Sequence, residues 1–489
     1  MKTRSLGLML VALTACASAG AQQQGTPSPT ELDATAASSP SGEFRAAEEG
    51  GEINNSTTAF PSKYTPLPST PVLIRNATVM TATDQGTIQG ASVLLRDGKI
   101  VAVGADVQAS ADVTVVDGAG KFVTPGIIDT HSHVGVYAAP GDEALSDGNE
   151  ATDPNTAQVW AEHSVWPQDP QIPLTLAGGV TTMLILPGSA NLFGGRGVVV
   201  RNLPFRTVQE MKFPGAPYAL KMACGENPKR VYGGRGRYPS TRMGEMAAFR
   251  QAWIDAAEYK KKWDDWREDG AKPESMPHRD LRMETLMSVL NGETRVQNHC
   301  YRADEMAQMI AMSHEFGYKI AGFHHAVEAY KIRDLLKQEG ICANMWSDWW
   351  GFKMEAMDGI EQNIALLAEE GTCAILHTDS PDGAQRMNQD AAKALAAGLR
   401  AGIELTKDDA LRWITINPAK DLGIEGQTGS LEAGKRADVV VWSGDPFSVY
   451  SRAEKVYIDG ALAYDRGNPS AQPVTDFQVG QTPTTGGAR

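Results

Sequence analysis

The strongest chemical signal in the sequence is a pair of histidines, His131 and His133, that closes the apolar segment PGIIDT. Alternate residues of a β-strand face the same side, so both imidazoles can point in one direction and bind one cation. A His-x-His pair also occurs without a metal, as part of an ordinary protein core. Its meaning therefore depends on what the neighbouring strands supply.

Three other segments with the character of strands end in residue types that bind metals. His299 follows TRVQN, the pair His324 and His325 follows IAGF, and Asp379 follows AILHT. Neighbouring residues of a strand face opposite sides, so only one of His324 and His325 is expected to point inward. Four such strand ends in one chain favour a shared metal site over four unrelated buried or capping side chains.

The elements that must position these residues lie between residues 125 and 425, where short apolar runs alternate with helical patterns. Repeated β-then-α units predict a parallel sheet, and about 300 residues of them suit an α/β fold of the (β/α)8 TIM-barrel type. In such a barrel the reactive groups sit at the C-terminal ends of the strands. A doubly wound open sheet is the alternative, and the charged, Trp-rich stretch 243–269 is predicted to be an inserted helix. The predicted strands are 126–131, 181–186, 218–223, 294–299, 319–324, 341–345 and 374–379.

Both ends of the predicted barrel are flanked by short strands and turns without helices. Residues 71–124 and 426–467 are each too small to hold a core, so we expect them to pair in one small β-sandwich subdomain. Residues 22–70 are poor in large apolar side chains and are predicted to be a disordered linker. Residues 468–489 are predicted to be a flexible tail.

The first 21 residues have the features of an export signal, with Lys2 and Arg4, an apolar stretch and small residues before a cleavage site. The segment LTAC resembles a bacterial lipobox with Cys16 as the acylated residue. A periplasmic protein and a membrane-anchored lipoprotein are therefore both open. The net charge of −14 argues against binding to nucleic acid through a general electrostatic field, and a small-molecule substrate is expected.

Four cysteines follow the signal, and they lie far apart in apolar surroundings. Export to an oxidising compartment would permit disulfides, yet we expect buried, unpaired thiols here. No Cys-x-x-Cys pair indicates a cysteine metal site or a redox motif. The residues are Cys224, Cys300, Cys342 and Cys373.

Together these segments resemble the amidohydrolase superfamily, in particular the branch that contains imidazolonepropionase and related exported amidohydrolases. The resemblance covers about residues 72–466 and rests on PGIIDTHSH, LPGSAN, LKMACGENPKRVYG and TINPAKDLGIEGQTGSLEAGKRADVVVW. It implies one or two Zn²⁺ ions or another divalent metal, and its sixth-strand motif selects the second histidine of the HH pair. The implied ligands are His131, His133, His299, His325 and Asp379.

The fourth strand of the implied barrel leaves two candidates for a further ligand. In two-metal members of the superfamily a carboxylated Lys or a Glu from this strand bridges the ions. Lys221 lies on the predicted strand, whereas Glu226 follows Gly225, where a turn can return it to the mouth of the barrel. Either residue can supply the bridge, and an ion pair or a turn cap is the structural alternative.

Three further residues are predicted to act around the metal or on the substrate. His377 shares a strand face with Asp379 and can orient that carboxylate or the attacking water, or serve structure alone. Trp346 follows the seventh strand, where it can stack on a flat or cationic substrate group or pack under the loop. Arg196 lies in the segment GGRG, predicted to be a flexible loop that binds a substrate carboxylate or makes a tight turn.

The resulting hypothesis is a hydrolase of a carbon-nitrogen bond in an amide, cyclic amide or peptide. A metal-activated hydroxide would be the nucleophile and Asp379 the general base. An Xaa-Pro-type dipeptidase on the same fold and a non-catalytic exported binding lipoprotein are the alternatives. The substrate stays open, and a homo-oligomer is the expected assembly.

Overall fold

The computed structural model describes residues 60–108 and 110–468. The predicted signal peptide, Cys16, residues 22–59 of the linker and residues 469–489 of the tail lie outside these residues. In chain order the β-strands are β1 (Val72–Met80), β2 (Thr87–Arg96), β3 (Lys99–Gly104), β4 (Thr114–Asp117), β5 (Phe122–Pro125), β6 (Ile127–Ser132), β7 (Val180–Ile185), β8 (Phe193–Arg201), β9 (Ala219–Ala223), β10 (Arg295–Cys300), β11 (Ile320–His325), β12 (Cys342–Met345), β13 (Ala374–Leu376), β14 (Val439–Trp442), β15 (Ala453–Ile458) and β16 (Ala461–Asp465).

Helices alternate with the central strands, as the sequence pattern indicates. The α-helices are α1 (Gln171–Ala177), α2 (Val208–Met211), α3 (Glu226–Gly233), α4 (Arg242–Glu268), α5 (Leu281–Leu290), α6 (Ala303–Phe316), α7 (Arg333–Glu339), α8 (Asn363–Glu370), α9 (Pro381–Ala384), α10 (Met387–Arg400), α11 (Lys407–Arg412) and α12 (Ile416–Leu422). The predicted inserted helix is confirmed as α4, which lies between β9 and β10 and buries Trp253 and Trp263. Within the described part of the chain, no helix is long and apolar enough to span a membrane.

Strands β6 to β13 form one curled sheet of eight strands in chain order. Segment 413–414 lies between its two edges, because the Leu376 amide donates to the Trp413 carbonyl and the Ile128 amide to the Ile414 carbonyl, both at 3.0 Å. The first and last strands are therefore close together. The mixed α/β class predicted from the sequence is confirmed in this form.

Strand β8 departs from the predicted all-parallel barrel, because it runs antiparallel to both β7 and β9. The GGRG segment was predicted to be a flexible loop. That prediction is wrong, because the segment lies within β8, and every residue of this strand is buried. Glycines weaken a strand prediction, but here they allow close approach of neighbouring chain. A Cβ added to Gly195 would clash with the Val159 carbonyl, and one added to Gly197 would clash with Leu186.

Strands from both ends of the chain share a second sheet, in the order β16-β15-β14-β5-β1-β2-β3, with β4 pairing to β1. The N-terminal and C-terminal strands meet at β5, which is parallel to β1 and antiparallel to β14. Val72, Ile74, Ala77 and Val79 of β1 are buried in the core of this sheet, and a shift of register between Ile74 and Ala77 interrupts the strict alternation. The pairing shows one continuous sheet, and its arrangement as a sandwich stays a prediction.

A buried ion pair connects the two sheets. Arg201, at the end of β8, donates to both carboxylate oxygens of Asp438, just before β14, with 2.9 Å to Oδ2. The carboxylate also accepts from Thr428 Oγ1 at 2.7 Å and from the Asp459 amide at 3.1 Å. Burial opposes ionisation of Asp438, yet the Arg201 guanidinium and these hydrogen bonds hold its pKa below the ordinary value.

Residues 60–64 fall within the predicted disordered linker, yet they contact the folded body. Phe60 packs edge-on against Trp160 at 5.5 Å, and the Lys63 amide donates to the Gln209 carbonyl at 2.8 Å. The Tyr64 hydroxyl donates to Asp459 Oδ2 at 2.5 Å. Average composition missed this anchor because it consists of two isolated aromatic residues in a polar segment.

The four described cysteines form two disulfides, so the prediction of unpaired thiols is wrong. Cys224 is joined to Cys300 and Cys342 to Cys373, with Cα separations of 5.4 and 4.5 Å. The partners are far apart in sequence but lie at the ends of adjacent strands, as the hydrogen bond from the Cys224 amide to the His299 carbonyl at 2.9 Å shows. Strand neighbours of this kind cannot be read from cysteine spacing alone.

Candidate metal centre

The C-terminal ends of β6, β9, β10, β11 and β13 bring a group of imidazoles, an amine and a carboxylate together. Two subsets offer donor atoms that all lie within 4.8 Å of one another, namely His131 with His324 and His377, and His131 with His325 and Asp379. The sheet thus places residues from distant parts of the chain at one point, and this cluster could bind a metal ion. The residues gathered here are His131, His133, Lys221, His299, His324, His325, His377 and Asp379.

His131 lies at the centre of the cluster and is fully buried. Its Nδ1 is 2.8 Å from Nδ1 of His324. Its Nε2 is 3.3 Å from the Nζ atom of Lys221 and 3.4 Å from Oδ1 of Asp379. Both ring nitrogens therefore face polar groups, and Nε2 points to the place where an amine and a carboxylate meet.

His133 shows a mismatch that a cation would resolve. Its Nδ1 lies 2.9 Å from the Leu186 carbonyl, which can only accept, so Nδ1 carries the proton and Nε2 a lone pair. That Nε2 lies 3.1 Å from Oδ1 of Asp379, which in the ionised carboxylate also presents lone pairs. Two acceptors at this distance repel unless a proton or a metal ion lies between them, and metal binding removes the repulsion.

His299 gives an independent indication that the cluster suits a metal ion. It is 1% exposed, and neither of its ring nitrogens has a hydrogen-bond partner among the described residues. A buried polar atom without a partner costs about 1–3 kcal/mol. The ring lies 4.4 Å from that of His325, so the open nitrogens belong to the same cluster. Residues and environment fit a metal ligand.

Both members of the His324 and His325 pair enter the cluster, so the prediction that only one points inward is wrong. Each ring centroid lies 4.8 Å from that of His131. The strand alternation ends at this point because His325 has φ of 68° and Ala326 φ of 37°, the left-handed region that non-glycine residues seldom adopt. Such strain is typical of functional sites. Sequence reasoning missed His324, for which the HH doublet at a strand end was the available signal.

His324 and His325 have different hydrogen-bond partners. Nε2 of His324 lies 2.6 Å from Oε1 of Gln297, an acceptor, so this nitrogen carries a proton and points away from the centre. Nδ1 of His325 lies 3.0 Å from Nε2 of His377. His377 therefore contacts a neighbouring imidazole, and its own Nδ1 has no partner among the described residues.

The fourth-strand candidates lie in different places. Lys221, on β9, is fully buried and faces His131, as given above. Glu226 begins α3 instead; its amide donates to Glu355 Oε1 at 2.8 Å and its carboxylate lies 3.8 Å from Lys353 Nζ. The structure brings Lys221 into the histidine cluster and places Glu226 in a neighbouring ion-pair network.

Burial sets the protonation of the site. It lowers the pKa of His131, His299, His324 and His325 well below the ordinary histidine value, and that of His377 to about 4. Neutral imidazoles are the form that binds metals. Burial likewise lowers the pKa of Lys221 to about 7, so near neutral pH much of its amine is uncharged.

Of the two remaining predicted site residues, one lies at the histidine cluster and the other does not. Trp346 lies at the cluster, with its ring stacked on His325 at 4.3 Å and its Nε1 donating to the Thr378 carbonyl at 3.0 Å. Arg196 is buried inside β8, where its guanidinium lies 4.5 Å from the centroid of Trp160. The structure does not bring Arg196 to the histidines.

A curled α/β sheet with a polyhistidine and carboxylate centre at its strand ends defines a class of metal-binding hydrolase folds. The amidohydrolase family model matches residues 294–464. The crystal structure of an amidohydrolase from Thermotoga maritima MSB8 is 39% identical, covering 81% of this chain and 100% of that chain with a TM-score of 0.75. This chain belongs to the amidohydrolase superfamily, in the branch related to imidazolonepropionase, as its motifs predicted.

Curated relatives agree with this placement. Amidohydrolase tasK of Hapsidospora irregularis is 34% identical over 431 residues, which is 81% of this chain but 43% of that protein. The chain thus spans less than half the length of that relative. Imidazolonepropionase of Sphingopyxis alaskensis is 22% identical over 82% of this chain and 95% of that protein.

Proposed function

We propose that the protein is a metal-dependent hydrolase of a carbon-nitrogen bond in an amide, cyclic amide or peptide. The observation that carries this proposal is the approach of Nε2 of His133 to Oδ1 of Asp379 at 3.1 Å, which a metal ion bound between the two atoms would account for. The unpartnered nitrogens of buried His299 support it. We also propose that the curled sheet is a TIM-type barrel and that the second sheet belongs to a β-sandwich subdomain.

The donor set is rich in nitrogen with a single carboxylate, which suits Zn²⁺ better than Mg²⁺ or Ca²⁺. One or two such ions, when bound, would lower the pKa of water to about 7 and polarise the substrate carbonyl. Lys221 would bridge two ions in its carboxylated form. The residues that would hold the metal are His131, His133, Lys221, His299, His325 and Asp379.

Asp379 is the residue best placed to move a proton. The Asp379 side chain is 25% exposed, whereas the His131 side chain is fully buried. The Asp379 carboxylate can therefore reach both the histidine cluster and an entering substrate. Its φ of 56° turns the chain sharply after β13 and aims the side chain back at the histidines. We assign to this carboxylate the proton transfer from the attacking water to the leaving nitrogen.

His377 and Trp346 position the site in this proposal. Nε2 of His377 contacts His325, and the Trp346 ring stacks on the face of the His325 ring. These two neighbours help to fix the orientation of the His325 imidazole. Outer contacts of this kind commonly tune a metal site. The Trp346 hydrogen bond to the Thr378 carbonyl also holds the backbone next to Asp379.

The proposed activity is tested with zinc-loaded protein on dipeptides, hydantoins, lactams and imidazolones. Release of product from at least one class at a rate that depends on protein concentration is the expected result. Confinement of turnover to dipeptides with a C-terminal proline would favour the Xaa-Pro-type dipeptidase. Ligand binding without turnover across the panel would contradict the proposal and favour the non-catalytic binding protein.

We also propose that the protein is exported, either to the periplasm or to a membrane through Cys16. The two disulfides support an oxidising compartment, where such bonds persist. Mass spectrometry of the protein from its native host tests this. An acylated N-terminal Cys16, or a chain that begins after Ala21, is expected, and an uncleaved N-terminus with reduced cysteines would contradict export.

A further inference from the structure

The loop that follows β12 exposes apolar side chains next to the candidate metal centre. Trp349 is 44% exposed, Trp350 62%, Phe352 53% and Met354 80%. Single exposed apolar residues are ordinary, but four within six residues form a patch, and such patches mark binding sites. We call residues 346–360 the tryptophan loop.

Hydrogen bonds hold the tryptophan loop in a defined shape. The Gly351 amide donates to the Ala356 carbonyl at 2.9 Å. The Trp350 indole Nε1 donates to the Met357 carbonyl at 2.7 Å. The exposed rings are therefore fixed in the free protein, so that little conformational entropy is lost when a ligand stacks on them.

A stack of three rings joins this loop to the metal centre. Trp346 stacks on His325 with centroids 4.3 Å apart and planes 24° apart. Trp349 stacks on Trp346 at 4.8 Å and 11°. Trp346 is itself 7% exposed, so the exposed aromatic surface belongs to Trp349, Trp350 and Phe352. Of these, the two tryptophans line the cleft described next. Aromatic surface thus runs continuously from a proposed metal ligand to solvent.

A cleft of about 330 Å³ lies along these rings and reaches His325. Its two carboxylates are already paired, Asp348 with Lys393 at 3.1 Å and Glu361 with Arg400 at 2.8 Å. Lys393 also pairs with Asp390 at 2.8 Å. No Lys or Arg lines the cleft itself, and its aromatic walls suit a flat, uncharged ring. Its lining residues are His325, Val327, Trp346, Asp348, Trp349, Trp350, Gly359, Ile360, Glu361 and Asn363.

We infer that this cleft binds an aromatic group of the substrate, carried next to the carbon-nitrogen bond that is cleaved. Trp349 and Trp350 are the specificity-determining residues, and Trp346 is a positioning residue. The inference rests on the proposed function, because it places the scissile bond at the histidine cluster. It names the substrate class as amides, cyclic amides or dipeptides with an aromatic substituent.

The test compares substrates that differ only by benzyl in place of methyl: Ala-Phe and Phe-Ala against Ala-Ala, and 5-benzylhydantoin against 5-methylhydantoin. We expect kcat/KM for a benzyl member to exceed that of its methyl partner by about tenfold or more. Trp349→Ala and Trp350→Ala should each reduce that ratio by about three- to tenfold, because the benzyl member loses more kcat/KM than the methyl member. Leu462→Ala, which removes a 40% exposed side chain of β16, is the matched control and should not change the ratio.

Binding provides a readout that does not need turnover. In zinc-loaded Asp379→Asn protein, calorimetry should show tighter binding of the benzyl member, and Trp349→Ala should abolish the difference. Equal or undetectable binding of both members, or a preference unchanged by both Trp substitutions, would overturn the inference. A change of oligomeric state in these variants without a benzyl preference would also overturn it and assign the patch to a second copy of the chain. Absence of turnover by wild-type protein on every substrate contradicts the proposed function instead.

Discussion

Oδ1 of Asp379 lies 3.1 Å from Nε2 of His133, an approach that requires a proton or a metal ion between the two atoms. We propose that this carboxylate belongs to the metal centre and lies next to the reacting bond. Asp379→Asn keeps the shape of the side chain but removes its ability to take a proton. We expect turnover to fall by about 10²–10⁴-fold, the usual contribution of a general base.

The measurement for this variant is steady-state kinetics together with metal analysis of the same sample. Most of the metal should remain, since the histidines still bind it. The control is Asp382→Asn, which changes an exposed carboxylate of α9 and should leave activity near that of the wild type. Wild-type turnover by Asp379→Asn would refute the assigned role.

Substitutions of Lys221 and Glu226 should have opposite effects on the metal content of the protein. Because Lys221 faces His131 at 3.3 Å and Glu226 faces Lys353, Lys221→Met should lower bound metal and activity, whereas Glu226→Gln should retain the metal. Native mass spectrometry of wild-type protein should show the added mass of one carbon dioxide, which acid removes. Loss of metal in Glu226→Gln, with full metal in Lys221→Met, would reverse the assignment.

The buried pair of Arg201 and Asp438 should dominate the acid sensitivity of the fold. Because the folded pKa of Asp438 is lowered, its stabilisation is fully present above the ordinary aspartate pKa of about 4 and is lost as the pH falls below that value. Asp438→Asn removes the carboxylate that Arg201 contacts through two hydrogen bonds and leaves only Asp459, whose Oδ2 lies 3.5 Å from the guanidinium. Removing one partner of a buried ion pair typically costs about 3–5 kcal/mol, and the remaining contact with Asp459 should place the cost at the lower end of that range.

Urea unfolding monitored across pH checks this prediction. The urea concentration at the unfolding midpoint of the wild type should decrease at pH values below about 4. For Asp438→Asn that midpoint should already be low at neutral pH and should decrease less in acid. The control is Glu315→Gln, which breaks an exposed pair with Arg250 and should leave the urea midpoint close to that of the wild type, because solvent screens exposed ion pairs. Equal effects of the two substitutions would contradict a structural role for the buried pair.

Much of the metal centre could be predicted from strand patterns alone. His131, His133, His299 and Asp379 were identifiable because ligand residue types close successive apolar runs, and the sheet does bring them together. His324 was missed because only one ring of the HH doublet was expected to point inward. His324 is paired in register with His299 and faces the same side by strand alternation, and the left-handed backbone at His325 brings the second ring into the cluster as well. Local periodicity fixes the face of a side chain only while the strand stays regular.

The features that the sequence did not reveal depend on contacts between distant segments. Strand β8 was hidden by glycines whose purpose, close approach to Val159 and Leu186, appears only in the folded chain. Cys224 and Cys300 are 76 residues apart and meet through strand pairing. Single-sequence patterns carry little information on such pairings.

The most direct test of the account is the metal content of active, purified protein, measured by inductively coupled plasma mass spectrometry before and after chelation. We predict one or two equivalents of zinc per chain, loss of activity when chelation removes the metal, and recovery when zinc is returned. Full turnover by protein that contains almost no transition metal would contradict the account.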